Sequence, residues 1–134
     1  MTPFGEKVRA LRDARGVTLK QMASDLHISS AYLSALEHGK RGRPSVQFVR
    51  QICAYFDIFW DEAEEMERLA DLSHPRVTVD TAGLSPRATE LANRLAQRIA
   101  DLDAGTVDAL LALLEQAPVP RHPAAARRPR APRR

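Results

Sequence analysis

Two short amphipathic segments, separated by about three residues, constrain this chain more than any other stretch of its 134 residues. Thr18 precedes Leu19-Lys20-Gln21. Thr and Gln three apart form a capping box, in which each side chain can satisfy the other residue's free backbone N–H. A helix is therefore predicted over 19–26, with Leu19, Met22, Ala23 and Leu26 on its apolar face. His27-Ile28-Ser29 makes the break, Ser29 caps a second helix over 30–38, and Gly39 ends it. Two short helices this close read as a helix-turn-helix.

The rest of residues 1–72 completes a bundle around that pair. Phe4, Val8 and Leu11 fall at i, i+4 and i+7, which predicts an amphipathic first helix that Gly16 terminates. Lys40-Arg41-Gly42-Arg43-Pro44 is a basic, helix-breaking loop. Ser45 caps a fourth helix with Phe48, Val49, Ile52, Cys53 and Phe56 as its buried stripe. Asp61 is expected to cap a fifth, with Ala63, Met66, Leu69 and Ala70 inward and Glu62, Glu64, Glu65 and Glu67 outward. The fold class is all-α.

Residues 73–84 interrupt the helical period with His74-Pro75, alternating Val77 and Val79, and Gly83, and read as a linker with at most a short extended piece. Ser85-Pro86 starts a new helix with Ala88, Leu91, Ala92, Leu95, Ile99 and Leu102 at helical spacing. After Asp103-Ala104-Gly105, a second stripe of Val107, Leu110, Leu111 and Leu114 completes a C-terminal helical hairpin over 85–116. Its apolar face exceeds what two helices can cover alone. It is a candidate dimerisation element, the alternative being that it folds back on its own bundle. Residues 117–134 hold six Arg, five of the nine Pro and no acid, the composition of a disordered basic tail.

Charge is divided along the chain. Residues 1–56 carry nine Lys/Arg against four Asp/Glu, and residues 57–117 carry five against thirteen. A basic first part suggests a polyanion partner, and an acidic second part does not. The longest apolar run, 109–114, falls far short of the roughly 20 residues a membrane span needs. No signal-like apolar segment opens the chain, so the expected location is cytoplasmic, on the nucleoid. Cys53 alone allows no internal disulfide and no Cys-based zinc site, and on its apolar stripe it reads as a core residue rather than a redox sensor. His27, His38 and His74 read as surface or turn residues, because nothing supplies a third metal ligand. No G-x-S-x-G, H-E-x-x-H or phosphate-loop pattern occurs, so neither an enzyme nor a cofactor is expected.

Leu19-Lys20-Gln21-Met22-Ala23, Ile28-Ser29, Tyr32-Leu33-Ser34, Leu36-Glu37, Gly39-Lys40-Arg41 and Pro44-Ser45 resemble the XRE family of helix-turn-helix regulators, which includes the lambdoid phage repressors and Cro. The resemblance covers about residues 4–71. It departs at His27, where the family often has Gly, which bears on the geometry of the turn. It implies a five-helix, lambda-repressor-like bundle whose third helix lies in the DNA major groove. Ser30, Ala31, Ser34 and Ala35 would then face the groove. Tyr32, Lys20, Lys40, Arg41 and Arg43 would lie near phosphates, with the amide end of the second helix at Leu19. It also implies that Arg12 and Glu37 pair across helices one and three.

The expectation is a sequence-specific transcriptional regulator, a repressor, binding double-stranded DNA with two half-sites as a homodimer and with no membrane association. Two other readings stay open. In one the chain is an antitoxin that binds DNA and neutralises a partner toxin; in the other it bridges transcription machinery without reading bases. The role of the Arg/Pro tail, as DNA affinity or as an inert end, is open as well.

Overall fold

A computed structural model describes residues 1–118; the tail expected to be disordered lies almost wholly outside the described residues. Helices are the only regular elements among the described residues, which divide into two units, the first spanning Met1–Thr78 and the second beginning at Val79. The first holds α1 (Pro3–Arg15), α2 (Leu19–Asp25), α3 (Ser30–Glu37), α4 (Val46–Tyr55) and α5 (Asp61–Asp71). The second holds α6 (Pro86–Arg98), one 3-10 turn (Ile99–Asp101) and α7 (Ala104–Gln116). Residues 73–84 contain no strand, so the extended piece that Val77 and Val79 allowed does not form.

Side-chain caps start six of the seven helices. Thr2, Thr18, Ser29, Ser45, Ser85 and Asp103 each accept a hydrogen bond from the backbone N–H three residues on, at 2.7–3.2 Å. The capping box at Thr18 is half made: Gln21 turns its side-chain amide to Asp25 Oδ1 (2.8 Å) instead of back to Thr18. α5 corrects the sequence expectation. Asp61 is its first helical residue, and Trp60 holds the cap position with φ 58°, ψ −126° and no side-chain cap bond. The charges of Asp61, Glu62 and Glu64 in the first turn favour that uncapped N-terminus through the helix dipole.

α1 packs against α3 and α5, α2 against α3, and α4 against α5. Phe4, Val8, Met22, Leu33, Val49, Ile52 and Met66 are at most 2% exposed and form the centre of the core. Cys53 and Phe56 lie at its edge, as their stripe predicts. The tightest approach is between α1 and the end of α3. A Cβ on Gly5 would stand 2.0 Å from the Glu37 carbonyl oxygen, so only glycine fits there. That same carbonyl accepts from the Thr2 N–H (3.1 Å) and the Thr2 hydroxyl (3.3 Å). Beside it, Arg12 Nη2 donates to Glu37 Oε1 at 2.9 Å in a buried ion pair. These contacts fix the angle at which α3 is presented.

In the second unit no helical residue is buried. Leu91 and Leu95 on α6, Ile99 at the start of the 3-10 turn, and Leu110, Leu111, Leu113 and Leu114 on α7 remain exposed. Glu90 pairs with Arg87 (3.2 Å) and Arg94 (2.6 Å) along α6.

Candidate nucleic-acid interface

The core decides which side of α3 is available. Leu33, Leu36 and Glu37 point inward and are at most 3% exposed. With 3.6 residues per turn, the opposite face carries Ser30, Ala31, Ser34, Ala35 and His38. Ser30 and Ala31 are exposed, and Ser34 and Ala35 are half-buried. All four expected groove residues therefore share one face of one helix. His38 closes that face, with its Nδ1 2.9 Å from the Ser34 carbonyl oxygen; the sequence reading did not include it.

The turn between α2 and α3 keeps its form without glycine. The Ile28 N–H reaches the Ala23 carbonyl (2.9 Å) and the His27 N–H reaches that of Ser24 (3.1 Å), the double bond of a Schellman ending. His27 takes the left-handed conformation this requires, with φ 58°. A non-glycine residue there costs on the order of 1 kcal/mol, which the buried Met22–Ala23 and Leu33 contacts offset. Past α3, Gly39 is left-handed as well (φ 81°), and a Cβ on it would meet Thr2 Cγ2 at 2.7 Å.

The expected phosphate-side residues are dispersed around this face with different commitments. Lys20 at the start of α2 and Lys40 after α3 are exposed and make no ion pair among the described residues. Leu19 packs its side chain against the core, leaving only its amide to serve a phosphate. Tyr32 is half-buried: its ring meets the edge of Phe48 at 6.2 Å, and the Arg41 guanidinium sits 5.4 Å from its centroid. Tyr32 thus aims Arg41, a cation–π contact at an exposed site. Arg43 is engaged elsewhere. Its Nε and Nη2 both donate to Asp71 Oδ1 (2.7 and 2.6 Å), and Nη1 donates to the Pro44 carbonyl. Nothing in the sequence pairs those two residues, which are 28 positions apart.

A short helix presenting a small-residue face, set at a fixed angle by α1 and flanked by exposed cations, defines a helix-turn-helix DNA-binding domain. Residues 3–66 match the family described as "Helix-turn-helix domain". Over 58 residues the chain is 41% identical to the uncharacterized HTH-type transcriptional regulator RghRB of Bacillus subtilis (strain 168), covering 43% of this chain and 42% of that protein. It is 40% identical over 52 residues to the HTH-type transcriptional repressor RghR of the same organism (39% and 38% covered). To the HTH-type transcriptional regulator SinR, also from that strain, it is 28% identical over 68 residues (48% and 61% covered). No solved structure matches significantly. The first unit thus carries the match to the helix-turn-helix domain, and the relatives it resembles are named as transcriptional regulators. The chain spans about two fifths of the length of the first two relatives, and the family match at residues 3–66 stops short of α6 and α7.

Among the described residues no helix is long and apolar enough to cross a membrane.

Proposed function

We propose that the chain is a sequence-specific repressor that binds a two-half-site operator as a homodimer in the cytoplasm. The observation that carries this reading is the outer face of α3, where Ser30, Ala31, Ser34 and Ala35 line up beyond a buried Leu33–Leu36 seam. Ser30 and Ala31, at the start of the helix, reach base edges; Ser34 and Ala35 pack along the groove. Lys20, Lys40 and the Tyr32-supported Arg41 hold phosphates, with the Leu19 amide beside Lys20. Arg43 anchors the loop to Asp71 and would reach a phosphate only by leaving it. One relative being named a repressor supports repression as the mode.

The homodimer reading rests on the second unit. The leucines of α6 and α7 have no cover within their own unit, and a second copy of the same stripes would bury them. Binding selection on full-length protein tests the reading of bases. Changing Ser30 or Ala31 should alter the preferred base pairs by about 1–3 kcal/mol per disturbed position. Lys40→Ala should weaken all sequences alike. Ser30 and Ala31 variants with an unaltered preference would refute the assignment. Sedimentation of the chain cut after Leu84 tests the dimer: a monomer is expected, and a persistent dimer would move the interface into residues 1–84. A different protein co-purifying on α6 and α7 would instead favour the antitoxin reading.

A further inference from the structure

The segment following α5 is pinned to the first unit although it lies outside the matched 3–66. Ser73 is 2% exposed; its hydroxyl accepts from the Phe4 N–H (3.0 Å) and donates to the Leu69 carbonyl (2.6 Å). That double bond turns the chain back across the start of α1 toward the loop after α3. Gly39, Lys40 and Gly42 of the loop and His74, Pro75 and Arg76 of the returning segment then line one open cavity of about 520 Å³. Three of its side chains, those of Lys40, His74 and Arg76, carry N–H donors, and none is a carboxylate. Gly39 and Gly42, both left-handed, put no side chain into it.

The charge arrangement suits this cavity to an anion. Arg43, Arg68, Arg87 and Arg94 each hold a carboxylate, whereas Lys40 and Arg76 pair with none among the described residues. The nearest carboxylate along the chain, Asp71, shares a neighbouring cavity with His74 and Arg76 and is already neutralised by Arg43. Lys40 belongs at once to this cavity and to the loop beside α3.

We propose that Lys40, His74 and Arg76 form an anion site for a phosphodiester of the DNA backbone, extending the phosphate contacts past the helix-turn-helix itself. Lys40 supplies a point charge, Arg76 a planar donor fork and His74 a third N–H. The site's exposure suits one phosphate among several along a duplex better than a lone small anion, because each exposed contact is weak and gains by being linked to others. The contact is blind to sequence. This inference rests on the DNA-binding reading above, and its test separates the two.

The experiment uses the full chain, with fluorescence anisotropy of operator and random duplexes across a salt series. Each phosphate contributes about −0.9 to the slope of log K against log salt, so Arg76→Gln should reduce the slope by about one unit. At 0.1 M salt that is about an eight-fold loss, equal for both duplexes and with the preferred sequence unchanged. Arg76→Gln with a wild-type slope, alongside a Lys40→Gln variant that loses one unit, would overturn the site and leave the DNA reading standing. If the wild-type chain binds no duplex, the DNA reading fails, and titration with inorganic phosphate decides the site alone. Saturable amide shifts at Gly39 and Gly42 that Arg76→Gln abolishes would support a free-anion site; unmoved amides would overturn it.

Discussion

The buried Arg12–Glu37 pair offers the sharpest test of how α3 is held. It is a single hydrogen bond of 2.9 Å between side chains only 10% and 4% exposed. Arg12 Nε and Glu37 Oε2 are buried with no hydrogen-bond partner, so the desolvation of both ions is compensated through one contact. Glu37→Ala leaves a guanidinium in the core with no counter-charge, a loss expected at about 3–5 kcal/mol. Against a typical total of about 5–15 kcal/mol that is a large fraction. With a urea m-value of about 1–3 kcal/mol per molar for a small domain, the midpoint should fall by at least about 1 M.

Removing both ions reverses the expectation. Arg12→Met combined with Glu37→Leu deletes two half-satisfied charges and fills the space with apolar atoms, so the double variant should match or exceed the parent in stability. The Glu37 main-chain carbonyl still receives Thr2 in either variant, so the change is confined to the side chains. Urea unfolding followed by far-ultraviolet circular dichroism, with amide spectra to isolate the first unit, reads the cycle. If the double variant keeps duplex binding, the pair serves α3 by placement alone. A Glu37→Ala variant within 1 kcal/mol of the parent, or a double variant as weak as the single, would refute the reasoning.

Gly5→Ala should cost at least about 1–3 kcal/mol, because its Cβ falls on backbone that cannot yield; thermal melts check it. His27→Gly should retain duplex binding and raise stability by up to about 1 kcal/mol by relieving the left-handed histidine, measured by urea midpoint. The Tyr55 hydroxyl donates to Asp25 Oδ2 at 2.6 Å, and this bond chiefly raises its pKa, with burial adding. Its contribution should be full below about pH 10, the ordinary tyrosine value, and be lost as pH rises through the higher folded value; Tyr55→Phe should erase that alkaline dependence. Burial, and then the Glu67 carboxylate, pushes the Cys53 thiol up, so alkylation should be slow in the folded protein and fast in urea.

What could be read from the sequence divides by distance along the chain. Thr18, Ser29, Ser45 and Ser85 announce helix starts because a cap and its N–H are three residues apart. The same locality explains the error at α5: Asp61 is a good cap by type, yet the chain enters through a strained Trp60 and uses Asp61 as helix. The residues expected on the outer face of α3 came through the family resemblance, and the buried Leu33 and Leu36 leave that face of the helix outward. Contacts between distant residues were not legible. Nothing local links Arg43 to Asp71, Pro75 to the loop at Gly39, or Gly5 to Glu37. The Arg12–Glu37 pair was foreseen only through the family resemblance, since 25 positions separate them.

On the proposed reading, the short side chains of α3 set a division of labour. Ser30 and Ala31 offer single hydroxyl contacts and methyl packing, not the bidentate pairs that discriminate strongly between bases. Lys40, Arg41 and Arg76 add affinity, but phosphate contacts add it to every sequence alike, so more of them raise occupancy without raising the specificity ratio. Discrimination must then come from combining weak readings. Two α3 helices held about one helical turn apart multiply their individual preferences and reject sites of the wrong spacing. The device that could impose that spacing lies outside the DNA-binding unit, in the uncovered leucines of α6 and α7. A regulator with a strongly discriminating recognition helix could lose its dimer and keep its operator. This one should lose operator preference and dimerisation together.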